Sequence, residues 1–189
     1  MNFEFLNKPI SFECKDDVIT MEAGSYTNLF NDMCSDYRSS YFPFYYVLQK
    51  GDFVIRCKIT PEFRELYDLG CITVYENDNK WIKFAYENSD SGHPAMVSVI
   101  TDKVSDDSNG EKIYEDGIWM QIIRKGNNFA LHCSENKENW RLVRIFQLDM
   151  NEVIKLGISA QSPLGNGCIV RFEGLEIVGN NYTNIRKPE

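Results

Sequence analysis

In the stretch WIKFAYE, Trp81, Lys83, Ala85 and Glu87 alternate with Ile82, Phe84 and Tyr86. Side chains of a strand alternate between two faces. One face is then apolar, and the other carries a large aromatic, a cation, a small residue and a carboxylate. An aromatic face stacks on the C–H side of a pyranose, while charged and amide groups hydrogen-bond its hydroxyls. The second face of WIKFAYE thus suits a shallow groove for a sugar or another small polar ligand. Trp119 and Gln121 share a parity on another stretch, as do Ala130, His132 and Ser134, and also Ser159 and Gln161. If these strands are neighbours, the candidate ligand-binding set is Trp81, Lys83, Glu87, Trp119, Gln121, His132, Ser159 and Gln161. The competing reading is a solvated sheet face. Lys83 and Glu87 then form an ion pair worth little, Trp81 and Trp119 are half-buried edges of the core, and His132 is a hydrogen-bonded structural residue.

Asp106, Asp107 and Asn109 lie in SDDSNG (105–110) and form a candidate rim for the groove. Their oxygens suit Ca²⁺, but the spacing is not that of an EF-hand, and Asp and Asn commonly bond their own loop backbone. No metal is expected there. Gly165-x-Gly167 resembles a phosphate loop only weakly, because no helix follows it. No nucleophile elbow, zinc-protease helix motif or P-loop is present. His132 and Cys133 are adjacent, so a strand would aim them at opposite sides. No catalytic residue or cofactor is assigned.

The elements that must position these residues have period two. Phe53–Ile59, Gly70–Tyr75, Trp81–Glu87, Met96–Thr101, Trp119–Arg124, Phe129–Cys133, Leu142–Leu148, Lys155–Gln161 and Cys168–Ile177 each have strand length and turn residues between them. Asn77-Asp78-Asn79 and Gly126-Asn127-Asn128 read as hairpin turns. Residues 102–117 are polar and read as the longest loop, and residues 31–46 are the least regular segment. About ten strands with short connections imply an all-β sandwich or jelly roll. The expected organisation is one domain over 1–179 and a frayed tail over 180–189.

Several of these stretches resemble a known family. YTNLFND (26–32), DLGCITVYENDNKWIKFAYE (68–87), VSVITDKVSDDSNG (97–110), the run from Ile118 to Leu148, and LGISAQSPLGNGC (156–168) occur in order. The paired elements H-x-S…W-x-x-V-R-x-F and AQSP-x-G-x-G-C are the most specific. They are similar to a concanavalin A-like, lectin/glucanase-type domain family often labelled "regulation of enolase protein". The resemblance implies a β-sandwich of two antiparallel sheets, one concave, and little about activity. Where that family tends to have Thr-Asp-x-Phe, this chain has Thr27-Asn28-Leu29-Phe30. Glycosidases of the concanavalin type usually carry Glu-x-Asp-x-Glu on one strand. Glu76-Asn77-Asp78 starts that pattern, but Lys80 and Trp81 end it.

Composition bounds the partners. The chain has 189 residues and a formal net charge of −8, which disfavours nucleic acid and anionic membrane surfaces. MNFEFLNKPISFECKDD has neither the basic nor the apolar region of a signal peptide. No apolar run approaches the ~20 residues that span a bilayer, and the expected location is the cytoplasm. Six widely spaced cysteines form no C-x-x-C pair, which points to reduced thiols. The resulting expectation is a non-catalytic domain binding a carbohydrate or small polar metabolite on the concave sheet. The alternatives are a regulatory protein acting on a metabolic enzyme through its sandwich surface, and a carbohydrate-active hydrolase using Glu87.

Overall fold

The computed structural model describes residues 2–188, all in strands, turns and coil. The strands are β1 (Glu4–Leu6), β2 (Ser11–Lys15), β3 (Val18–Gly24), β4 (Asn28–Asn31), β5 (Arg38–Tyr41), β6 (Phe44–Lys50), β7 (Phe53–Glu62) and β8 (Leu69–Asn77). They continue with β9 (Lys80–Asn88), β10 (Pro94–Asp102), β11 (Val104–Lys112), β12 (Ile118–Lys125), β13 (Asn128–Ser134), β14 (Arg141–Gln147), β15 (Val153–Gln161) and β16 (Gly167–Gly179). Two seven-stranded antiparallel sheets pack face to face. The first has the order β1-β6-β15-β8-β9-β10-β11, and the second β14-β13-β12-β7-β16-β3-β2. No helix among the described residues is long and apolar enough to cross a membrane.

The core lies between the inner faces. Ile72, Val74, Ile82, Phe84, Leu156 and Ile158 of the first sheet meet Ile55, Ile59, Ile122, Leu131, Val170 and Phe172 of the second. The sheets approach closely at Gly70, where a Cβ would fall 2.5 Å from Val170 and 2.6 Å from Ile59. Any side chain there would force them apart.

The outer face of the first sheet is not open. Its apolar side chains, Cys71, Tyr75, Trp81, Ala85, Val97 and Val99, form a second cluster with Leu29 and Phe42. Those two residues belong to a strap, residues 25–43, built on the separate β4–β5 hairpin. Strands stacked over a sheet cannot join its ladder, so their polar groups need side-chain partners. Leu29 N donates to Gln161 Oε1 at 3.0 Å, and Asn31 N donates to Ser105 Oγ at 2.9 Å. The Asn31 amide donates to the carbonyls of Asp78 and Lys103.

Two expectations are corrected here. The polar stretch 102–117, read as a long loop, contains β11, the edge strand of the first sheet. Most of its side chains face water, which blunts an edge against pairing but hides the strand signal. The segment after Asn180, expected to fray, lies instead on the outer face of the second sheet, with Glu189 outside the described residues. Ile185 packs with Val54, Ile123 and Ala130, and Lys125 Nζ donates to the carbonyls of Tyr182 and Thr183. Ending the chain at Gly179 should cost about 3 kcal/mol, because Ile185 is withdrawn and its apolar bed is exposed. Urea denaturation checks this, and an unchanged midpoint would mean that the tail contributes nothing.

Candidate functional site

The strap covers only part of the outer face. Beside it lies a cleft of about 190 Å³ lined by Asn28, Phe30, Tyr67, Lys83, Glu87, Asp90, Val99, Asp107, Asn109 and Pro163. Its floor follows from strand pairing. Lys83 pairs with Val99, and Val99 pairs with Asp107, so β9, β10 and β11 set a lysine, an apolar side chain and a carboxyl group in one row, with Asn109 two residues further along β11. Lys83 and Glu87 stand on either side of Ala85 along β9. Asn28 and Phe30 reach in from the strap, Tyr67 from the turn before β8, and Pro163 from the turn after β15.

Lys83 is 3% exposed and its ammonium is already engaged. Nζ donates to Leu29 O at 2.9 Å and stands 5.8 Å from the Phe30 ring centroid. Lys83 thereby clasps the strap, which supplies the partner a buried cation requires. Glu87 is 6% exposed, and among the described residues no donor hydrogen-bonds its carboxyl oxygens. Burial pushes its pKa up to about 8; Lys83 pulls it down, and Asp107 and Asp90 push it up further. Asp107 is raised as well, first by burial, against the pull of Lys83 and with a further push from Asp90. Asp90 accepts a hydrogen bond from the Asn109 amide at 2.8 Å. The Tyr67 hydroxyl is raised by burial and then by Asp90, Glu87 and Asp107. The cleft therefore combines two aromatic rings, two amides and three carboxyl groups against one occupied ammonium.

The expected site is divided by the structure. Lys83, Glu87, Asp107 and Asn109 come together in the cleft. Trp81, Ser159 and Gln161 share the same sheet face but are sealed under the strap. Trp81 is fully buried, with no partner for Nε1 among the described residues, so it offers no surface for stacking. Gln161 accepts from the Leu29 backbone and donates to Ser159 Oγ at 3.3 Å, which makes it a fastener of the strap. Asp106 points the other way, to Arg144 at 2.7 Å.

Trp119, Gln121 and His132 belong to the second sheet, on its outer face, where Gln121 pairs with Arg56 and His132. They cannot meet Trp81 or Lys83, because the core lies between. Trp119 stacks with Lys137 at 4.8 Å and covers Gly174. Gly174 has φ +61°, and a Cβ there would come within 3.1 Å of that indole. His132 is buried beneath the C-terminal segment, with Nε2 3.4 Å from Arg186 O, and burial lowers its pKa.

The residues missed by pattern alone are Asn28, Phe30, Tyr67, Asp90, Val99 and Pro163. A signal existed for Asn28 and Phe30 in the TNLF motif, and for Pro163 in AQSP. Tyr67 and Asp90 lie in turns flanking β8 and β9, and no period marks them. Among the described residues no grouping of His, Cys, Asp and Glu has the geometry of a metal site.

A model of the family described as "Protein of unknown function (DUF1349)" matches residues 5–179. The chain belongs to this family. DUF1349 here takes the concanavalin-like sandwich described above, and solved structures share it. A functionally unknown protein from Saccharomyces cerevisiae is 24% identical with TM-score 0.87, and the match covers 94% of this chain and 96% of that one. The legume lectin-like domain from Entamoeba histolytica is 12% identical with TM-score 0.65, covering 95% and 91%. The carbohydrate-binding module CBM66 from Bacillus subtilis is 10% identical with TM-score 0.59, covering 93% and 94%. Among proteins with curated function, none matches the chain.

Proposed function

We propose that this DUF1349 domain binds a hydroxyl-rich ligand of carbohydrate type in the cleft beside the strap, without chemical turnover. The observation that carries this reading is Glu87, a buried carboxyl group that lines a solvent-reaching cavity and has no hydrogen-bond partner among the described residues. Buried polar groups are ordinarily paired, and a ligand hydroxyl supplies the missing partner. Protonated, the group donates to a sugar oxygen; ionised, it accepts from a hydroxyl. Phe30 and Tyr67 give apolar ring faces for the C–H side of a sugar, and Asn28 and Asn109 give amides. The cavity is smaller than the roughly 300–1,000 Å³ of drug-sized sites, which suits one ring or one end of a chain. The lectin-like and carbohydrate-binding neighbours support the same class of ligand, and the name of CBM66 says as much of that protein.

Binding without turnover is favoured by the layout of the carboxyl groups. Asp107 is level with Lys83 through Val99, whereas Glu87 is level with Ala95. Glycosidases of the concanavalin type usually carry their carboxyl groups on one strand, whereas these two sit on different strands, four residues apart in register.

A thermal-shift screen of neutral mono- and oligosaccharides tests the reading, since a ligand that binds only the native state raises the melting temperature. The expected result is a saturable rise that disappears in Tyr67→Ala and in Asn109→Ala, two substitutions outside the core. A rise that persists in both variants places the ligand elsewhere. No rise with any saccharide overturns the proposal.

A further inference from the structure

Resting on the reading above, we infer that the cleft selects a hydroxyl-rich ligand that also carries a protonated amine, such as an amino sugar, and seats the ammonium group among the Glu87, Asp90 and Asp107 carboxyl groups. Three elements bring these groups to one cavity: Glu87 from β9, Asp90 from the β9–β10 turn and Asp107 from β11. Each is close enough to the others for its charge to be felt. Lys83 is the one cation in the lining among the described residues, and its ammonium is turned to Leu29 O and the Phe30 ring. It holds the strap, and its single charge is set against three carboxyl groups. Asp90 has a single neutral donor, Asn109, and Glu87 has none among the described residues.

An ammonium group is a compact triple donor. In that position it answers the unpaired Glu87 oxygens and balances the surplus negative charge in one step. Phe30 and Tyr67 add cation-facing rings. An anionic sugar such as a sugar phosphate meets carboxyl groups on three sides and is rejected. A divalent cation is not favoured, because the described carboxyl groups lack a ligating arrangement.

Protons must follow. The charged groups facing Glu87 are Lys83 on its own strand, Asp107 on β11 and Asp90 in the turn, with the hydroxyl of Tyr67 opposite and the Cys71 thiol on β8. In the free protein Glu87 keeps its proton up to about pH 8. An ammonium favours the carboxylate, so amine binding drives that proton off Glu87, to solvent where the amine arrives charged and onto the amine where it arrives neutral.

The experiment is calorimetric titration with a chito-oligosaccharide in its free-amine and N-acetylated forms, with glucose 6-phosphate as the anionic probe. The expected result at pH 7 is a preference of about tenfold or more for the free-amine form, the size of one hydrogen bond between charged groups. The heat should depend on buffer ionisation differently in the parent and in Glu87→Gln, with the parent releasing up to about one proton more. In Glu87→Gln the preference should fall to about twofold. Equal affinity for the two oligosaccharides overturns this inference and leaves saccharide binding standing. Tighter binding of the phosphate also overturns it. No binding of either oligosaccharide overturns this inference, and the thermal-shift screen then decides whether saccharide binding stands. A full preference retained by Glu87→Gln removes Glu87 from the recognition.

Discussion

Replacing Glu87 by Gln raises the melting temperature of the unliganded protein, and by more at pH 8 than at pH 5. The folded-state pKa of Glu87 is raised from the usual 4.5 to about 8, chiefly by burial. A carboxyl group with a raised folded pKa stabilises most when both states are protonated. That stability is fully present below about pH 4.5 and is lost as pH climbs through 8, because the unfolded chain ionises first. Every tenfold difference in proton affinity between the two states corresponds to ~1.4 kcal/mol, so the loss reaches several kcal/mol at pH 8. Gln keeps the shape and cannot ionise, although its amide carries its own burial cost. That cost is close to the protonated carboxyl group's own, so little change is expected below pH 5 and a gain of several kcal/mol, about 10 °C for a chain of this size, at pH 8. The quantity to follow is the variant-minus-parent difference at each pH, which cancels the titration of groups remote from the cleft. A variant destabilised equally at both pH values would show that the carboxylate is paired after all.

Asp68→Ala should be the most damaging single change near the cleft. Asp68 is fully buried and accepts three hydrogen bonds. Oδ1 accepts from Ser162 Oγ at 2.6 Å, and Oδ2 accepts from the backbone N–H groups of Arg64 and Glu65, each at 2.9 Å. One carboxylate thus ties the turn that presents Tyr67 to the turn that presents Pro163. Ala leaves three donors without an acceptor, at about 1–2 kcal/mol each, so a loss of about 4 kcal/mol is expected in urea denaturation. Asn retains one acceptor oxygen and should fall between Ala and the parent. A loss below about 1 kcal/mol, the range of ordinary surface substitutions, would mean that water replaces the carboxylate.

The two residues also show what the sequence exposes. The parity of Glu87 is plain in WIKFAYE, because strand period sorts side chains into faces. Parity says nothing about which sheet a strand joins. WIKFAYE and IWMQII both place a Trp opposite an apolar set, and the chain puts them in different sheets. That one ambiguity misplaced Trp119, Gln121 and His132. The strap was illegible for another reason. Its backbone is answered by side chains distant in sequence, Leu29 by Gln161 across 132 positions, and such bonds leave no local period. Asp68 reads as a boundary residue before β8, and only the folded chain shows its three donors. The first fifty residues contribute β1 to β6, several of them only three to five residues long, too short for alternation to stand out.

The strap has a bearing on how the molecule opens. Its amides at Leu29 and Asn31 are held by the side chains of Gln161 and Ser105, outside either seven-stranded ladder. Hydrogen exchange at these two sites therefore reports a local unlatching, separate from global unfolding. The strength of that latch depends on a few side chains, so a substitution at Gln161 or Ser105 would change how often the strap lifts while the sandwich beneath stays as it is.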